Sequence, residues 1–148
     1  MKIKIFTDGA SRGNPGPASY GFVIMDGGNK LLYKEGKAIG KATNNVAEYA
    51  GVLAALKYAK KALSIKYQVS SIELYADSRL VVQQLSGKFK IKAQHLKPVI
   101  QESQLLAMDL GGVTYTHIPR SQNYLADSMA NQALDNLSTL RQLADRSG

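Results

Sequence analysis

The sequence predicts an α/β or α+β layered domain in which one mixed sheet is covered by helices. Three observations carry this. Apolar residues alternate with period two in the first forty residues, the apolar period becomes helical near Asn45, and short strand-like and helical segments then alternate. The order reads β-β-β-α-β-α-α-β-α within 148 residues, enough for one domain with a real core.

Residues 2–7, Lys-Ile-Lys-Ile-Phe-Thr, read as a first strand ending at Asp8. Ser11-Arg-Gly-Asn-Pro-Gly-Pro17 is a concentrated turn signal, because Gly supplies positive φ and Pro fixes φ. Tyr20 to Met25 and Lys30 to Lys37 flank Asp26-Gly-Gly-Asn29 as a hairpin, so three antiparallel strands come first. From Asn45 to Lys61 the spacing of Val46, Tyr49, Val52, Leu53 and Leu56 predicts a helix buried against the sheet. Ile72 to Ala76 reads as a fourth strand, Ser78 to Leu85 as a short helix stopped by Gly87, and Ala93 to Met108 as another helix. Val113 to Ile118 is a fifth strand and Ser121 to Leu137 a final helix, with a polar, fraying end. Strands one, four and five, separated by helices, are expected to be parallel neighbours.

The charge pattern points to a partner. The net charge is +8, with 19 Lys and Arg against 11 Asp and Glu, a balance that attracts polyanions. Lys88, Lys90, Lys92 and Lys97 form one cluster, and Lys57, Lys60, Lys61 and Lys66 another. There is no cysteine, hence no disulfide framework and no thiolate metal site. The charged N-terminus does not form a signal h-region, and no apolar run approaches the ~20 residues that span a membrane. The expected setting is a cytoplasmic monomer with no membrane partner.

Against that basic background, four acids stand in awkward places. Asp8 and Asp77 follow the apolar bodies of two strands, Glu48 is the lone carboxylate of an apolar helix, and Asp127 lies in an Ala- and Met-rich helix. Ionised carboxylates near a core are costly unless paired or bound to metal. Each also has a plain structural reading. Asp8-Gly9 opens a turn, Asn45-Val-Ala-Glu48 resembles a capping box, Asp77 caps the helix that follows, and Asp127 favours a helix N-terminus. If strands one and four are neighbours, all four acids converge at one end of the sheet, where α/β sites are usually built.

The residues around these acids carry a resemblance. Thr7-Asp8-Gly9-Ala-Ser-Arg-Gly-Asn-Pro-Gly-Pro17, Thr43-Asn44-Asn45-Val-Ala-Glu48, Tyr75-Ala-Asp77-Ser78 and Asn123-Tyr-Leu-Ala-Asp127 occur in order. Together they resemble ribonuclease H type 1, in a short archaeal-like form, over residues 1 to about 135. The resemblance implies the α/β ribonuclease H-like fold, a five-stranded mixed sheet flanked by helices. Residues 1–137 would be the ribonuclease H domain, with 138–148 as tail or helix extension. It further implies a hydrolase that cuts the RNA strand of RNA–DNA hybrids with two Mg²⁺ ions, or Mn²⁺ in their place, leaving 5′-phosphate and 3′-hydroxyl ends. By resemblance Asp8, Glu48, Asp77 and Asp127 are catalytic metal ligands. Asp8 would bridge both ions, Asp77 and Glu48 would complete the leaving-group site, and Asp127 would hold the nucleophile's metal. Mg²⁺, a hard cation, takes oxygen ligands, which explains carboxylates rather than Cys.

The resemblance also places Gly9, Ser11, Arg12, Asn14, Thr43, Asn44, Asn45 and Gln83 along the hybrid, with Asn14 and Thr43 near a DNA phosphate. Three features depart from the usual pattern. The segment His117-Ile-Pro-Arg-Ser-Gln-Asn123 replaces a Gly-rich, acid-containing loop and is stiffened by Pro119. Within it His117 and Arg120 are rivals for one assisting role. Between Leu85 and Leu96 a basic protrusion is missing, and Lys88, Lys90 and Lys92 stand in for part of its grip. That shortening leaves room for action on double-stranded RNA. The rival readings are a non-catalytic nucleic-acid-binding module of the same fold, the ribonuclease H domain of a reverse transcriptase, and a metal-binding structural protein.

Overall fold

The computed structural model of the chain describes residues 1–88, 90 and 92–147. Strands β1 (Lys2–Ser11), β2 (Gly16–Asp26) and β3 (Leu31–Ala42) come first, followed by helix α1 (Asn44–Tyr58). That helix runs on through a π-helical turn, Ala59–Leu63, into the short α2 (Ser64–Lys66). Then come β4 (Ser71–Ala76), α3 (Arg79–Leu85), α4 (Lys97–Asp109), β5 (Thr114–His117) and α5 (Tyr124–Ser147). The five strands form one sheet in the order β3-β2-β1-β4-β5. Pairing is antiparallel for β1–β2 and β2–β3 and parallel for β1–β4 and β4–β5. This is the α/β mixed sheet expected from the sequence.

Strand alternation sends two sets of side chains to opposite faces. Ile3, Ile5, Phe22, Ile24 and Leu74 pack with Tyr49, Val52 and Leu56 of α1, Val81 and Leu85 of α3, and Ile100 of α4. On the other face α5 packs on β1, β2 and β3 and buries Ala126, Ala130 and Leu134. Its approach depends on missing side chains. A Cβ on Gly21 would lie 2.4 Å from the Ala126 carbonyl oxygen, and one on Gly36 would lie 2.2 Å from that of Met129. The Ser19 hydroxyl donates to the Ala130 carbonyl at 2.6 Å, fixing the register of the helix on the sheet.

Several boundaries differ from the sequence expectation. Asp8 does not end β1. The strand continues to Ser11, held by pairing of Asp8 with Gly21 and Ser11 with Ala18 on β2. Residues Gln94–Leu96 form a 3-10 turn, and the helix expected from Ala93 starts at Lys97, with Pro98 in its first turn. The last helix starts at Tyr124 rather than Ser121 and extends to Ser147 rather than Leu137, so the polar end is helical. Between α3 and the 3-10 turn no helix forms among the described residues, in keeping with the missing protrusion. Of that basic segment, Phe89 and Ile91 lie outside the described residues, as does Gly148 of the C-terminal stretch. Among the described residues no helix is long and apolar enough to cross a membrane.

Candidate active site

The site forms at the end of the sheet where β1 and β4 run side by side. Asp8, facing it from within β1, is 7% exposed. Asp77 directly follows β4. Glu48 arrives from α1, and its position depends on Gly9. A Cβ on Gly9 would lie 2.3 Å from the Glu48 amide nitrogen and 2.5 Å from the Ala47 carbonyl carbon. The first turn of α1 therefore rests directly on β1 backbone, which puts Glu48 beside Asp8.

Three of the plain structural readings do not hold, the first because β1 runs on through Asp8-Gly9 instead of turning there. The cap of α1 is Thr43, whose Oγ1 accepts from the Val46 amide at 3.3 Å. Glu48 thus lies beyond the third helical position and is not the partner of an Asn45 capping box. Likewise Ser78, not Asp77, caps α3, accepting from the Val81 amide at 3.3 Å. Both carboxylates are left free to face the site. Asp127 does sit in the first turn of α5, where the helix dipole favours it.

One carboxylate oxygen each from Asp8, Glu48 and Asp77 lie within 4.8 Å of one another. Burial first, then the Asp77 charge and a hydrogen bond with Asp127, together push the Asp8 carboxyl up to about 8 against the opposing Gly9 amide. That amide donates to Asp8 Oδ1 at 2.9 Å. Burial also raises Glu48, to about 7, with the Asp77 charge adding and Ser78 and the Arg120 charge opposing. Asp127 joins through Asp8, and its own Oδ1 accepts from Asn131 Nδ2 at 3.2 Å. All four acids are therefore brought together, three in a tight triad and the fourth against Asp8.

The donor set suits a hard divalent cation. It is all oxygen, crowded, and electrostatically frustrated when empty of positive charge, so a cation would relieve the repulsion that raises Asp8 and Glu48. Asp8, Glu48 and Asp77 form a group that could hold a metal ion.

Of the other positions named from sequence, Asn14, Thr43 and Asn44 come together. Asn14 Oδ1 accepts from the Asn44 amide at 3.1 Å, beside the Thr43 cap. Asn45 is exposed in the same helical turn. Ser11 Oγ donates to the Ala42 carbonyl at 2.8 Å and also meets the Gly13 carbonyl, tying the β1 end to the β3 end. Arg12 pairs with Asp135 of α5 at 2.5 Å and donates to the Asn131 carbonyl at 3.4 Å. Gln83 is half-buried on α3, while its neighbour Gln84 takes the Tyr49 hydroxyl inside the core. His117 and Arg120 are both exposed, and the Arg120 charge acts on the Glu48 carboxylate.

Two contributors had no assigned role in the sequence reading. Ser78 bonds the Glu48 carboxylate. Asn123, 1% exposed, donates through Nδ2 to the Thr7 carbonyl at 2.8 Å and to Asp77 Oδ2 at 3.2 Å. Its Oδ1 is buried without a partner among the described residues. Asn123 thus links β1, β4 and the start of α5, and its presence in the Asn123-Tyr-Leu-Ala-Asp127 motif was the available signal.

Residues 6–133 match the family model described as "Reverse transcriptase-like". The crystal structure of RNase H1 from the halophilic archaeon Halobacterium salinarum NRC-1 superimposes with a TM-score of 0.84 at 38% identity, covering 92% of this chain and 99% of that one. The chain belongs to the ribonuclease H type 1 family. A second family structure, LC11-RNase H1 in complex with RNA/DNA hybrid, gives a TM-score of 0.86 at 37% identity over 91% of this chain and 98% of that one. The "Bifunctional protein Rv2228c" of Mycobacterium tuberculosis is 43% identical over 136 residues, covering 91% of this chain. Here the chain spans only 36% of the relative's length. The ribonuclease H fold is thus matched nearly end to end by the two crystal structures.

Proposed function

We propose that this chain is an endoribonuclease that hydrolyses the RNA strand of RNA–DNA hybrids using two Mg²⁺ ions, with Mn²⁺ able to substitute. The observation that carries this is the carboxylate triad within 4.8 Å, beside which Asn14 of the β1–β2 turn meets Thr43 and Asn44 at the start of α1. The ions, when bound, supply an activated water and charge stabilisation for the departing oxygen. Asp8, Glu48, Asp77 and Asp127 would hold and neutralise them. Water oxygen attacks phosphorus, the P–O3′ bond breaks, and the 3′-oxygen takes up a proton. Ser78, Asn123 and Asn131 hold carboxylates in place. Gly9, Ser11, Asn14, Thr43, Asn44, Asn45 and Gln83 line the hybrid's path, and the anionic backbone is drawn in by the basic surface. We assign Arg12 to bracing α5 through Asp135 rather than to substrate. A cytoplasmic monomer is the working form we propose.

The test is a substrate panel. A labelled RNA–DNA hybrid, duplex RNA and single-stranded RNA are incubated with Mg²⁺, Mn²⁺ or EDTA, and product ends are identified by phosphatase and ligase sensitivity. Hybrid cleavage to 5′-phosphate and 3′-hydroxyl ends is expected. Preferential cleavage of single-stranded RNA would reject the reading, and cleavage of duplex RNA would add a second substrate.

Between the two rivals of the 117–123 segment, we assign the assisting role to Arg120, because its charge reaches Glu48. Arg120→Ala should lower kcat about tenfold, a typical loss for one charge-assisted contact, whereas His117→Ala should change it little. Steady-state kinetics on both variants decides, and a larger loss in His117→Ala reverses the assignment.

The raised carboxyls also predict a pH-dependent stability. Asp8 and Glu48 titrate higher in the folded chain, near 8 and 7, than their ordinary 3.8 and 4.5. Their protonated forms thus favour the fold, fully so below about 4, and this contribution is lost as pH rises through 7 and 8. The unfolding midpoint in EDTA should therefore fall across that window, and millimolar Mg²⁺ at pH 8.5 should restore several degrees. Thermal melts over pH, with and without Mg²⁺, check this.

We propose residues 1–137 as the catalytic domain, with the remainder as a helix extension. Leu140 and Leu143 are 64% and 53% exposed, so ending the chain after Leu137 should shift stability by under about 1 kcal/mol and leave cleavage intact. Denaturant unfolding of the shortened chain measures it.

A further inference from the structure

A recess on the α5 face of the sheet adjoins the active site without belonging to it. Because Ile3, Ile5 and Leu74 enter the core beneath α1, Phe6 and Tyr75 point to the opposite face. Their rings stack at 4.9 Å between centroids, inclined by 18°, and both remain half-exposed beside α5. Phe6 then forms one wall of a cavity of about 290 Å³, lined also by Met25, Asn29, Gln122, Asn123 and Tyr124. Tyr124 is 62% exposed at the mouth.

The chemistry of the lining is specific. Aromatic faces accept a planar base by stacking, and the Asn29 and Gln122 carboxamides offer donors and acceptors to a base edge. At the rim the Lys4 ammonium donates to Asn29 Oδ1 at 3.0 Å, a place from which it can meet a phosphate. Lys2 bonds Glu73 at 2.8 Å and the Lys4 charge also acts on that carboxylate, so a phosphate at the rim would compete with Glu73 for Lys4. The recess is continuous with the catalytic centre through Asn123, which lines it and also bonds Asp77.

We propose that this recess binds an unpaired nucleobase, so that a single strand flanking the duplex is held beside Asp77. Its place in the reaction rests on the hybrid-cleavage reading, while its ability to bind a single strand does not. Stacking rather than ion pairing supplies the affinity, so binding persists at salt concentrations that weaken backbone contacts.

Short fluorescein-labelled DNA and RNA oligonucleotides, each with one 5-iodouracil, are irradiated with the full chain in EDTA, and the cross-links are mapped by peptide mass. Cross-links at Phe6, Tyr75 or Tyr124 are expected, and the arm that gives them identifies the sugar preferred. By anisotropy, Tyr124→Ala should weaken single-strand binding about tenfold, the usual loss of one base stack, with Gln122→Ala weakening it in the same direction. Both residues are exposed, so the variants should melt like the parent chain and cleave a blunt hybrid normally. The proposal is overturned if cross-links fall only on the α1 side, if neither variant changes affinity, or if no single strand binds. Loss of blunt-hybrid cleavage by the parent chain would instead strike the function proposed above.

Discussion

Asp8→Asn should lower hybrid cleavage by about 10³-fold or more, the scale of charge stabilisation that a bound metal supplies, while hybrid affinity stays within a few-fold. The change is nearly isosteric, and the new carboxamide can still accept from the Gly9 amide that now reaches Asp8 Oδ1 at 2.9 Å. What disappears is the charge at the centre of the cluster, the one carboxylate that meets both Asp77 and Asp127. Substrate affinity depends instead on basic and amide groups elsewhere, so binding and chemistry separate. The same variant should be more stable than the parent without metal at pH 8, because it no longer confines a third negative charge beside Glu48 and Asp77. Single-turnover cleavage, filter binding and thermal melts on one preparation measure all three. Near-parental turnover would remove Asp8 from the mechanism.

Gly9→Ala should be nearly as damaging by a different route. Its methyl group would lie 2.3 Å from the Glu48 nitrogen and 2.8 Å from the Glu48 Cα, all backbone of a helix that cannot rotate away. Overpacking of this kind costs about 1–3 kcal/mol, and here relief requires lifting the α1 N-terminus off β1. Glu48 moves with it, and so does the turn in which Thr43, Asn44 and Asn45 sit. Cleavage should therefore fall about 10²-fold, since displacing a catalytic group by 1 Å has that cost. Circular dichroism melts and kcat/KM report the two effects, and an unchanged kcat/KM in a folded variant would show that α1 is not positioned by Gly9.

Much of this was legible in the residues, and the exceptions have physical causes. Ile3, Ile5, Phe22, Ile24 and the α1 stripe announced the sheet and its covering helix because burial on one face imposes period. The continuation of β1 past Thr7 was not visible, because its residues there, Asp8 to Ser11, are polar or small and are held by pairing with β2 rather than by apolar alternation. Helix caps were misplaced by one or two residues, as Thr43 and Ser78 took the caps from Asn45 and Asp77. That correction strengthens the site, because it frees two carboxylates from structural duty. The length of α5 was hidden by its polar end, where Leu, Gln, Ala and Arg favour helix without a buried face. Asn123 was hidden for another reason. A buried carboxamide that joins three elements leaves no local pattern, since its partners lie 116 and 46 residues away.

The most direct measurement is cleavage of a 5′-labelled RNA–DNA hybrid by the parent chain in Mg²⁺ beside an identical reaction in EDTA. If the carboxylates act by holding divalent ions, cleavage appears with Mg²⁺, vanishes in EDTA and returns when Mg²⁺ is restored in excess. Cleavage that survives EDTA, or a hybrid left intact in both reactions, would contradict the assignment of Asp8, Glu48, Asp77 and Asp127 as a metal-dependent nuclease centre.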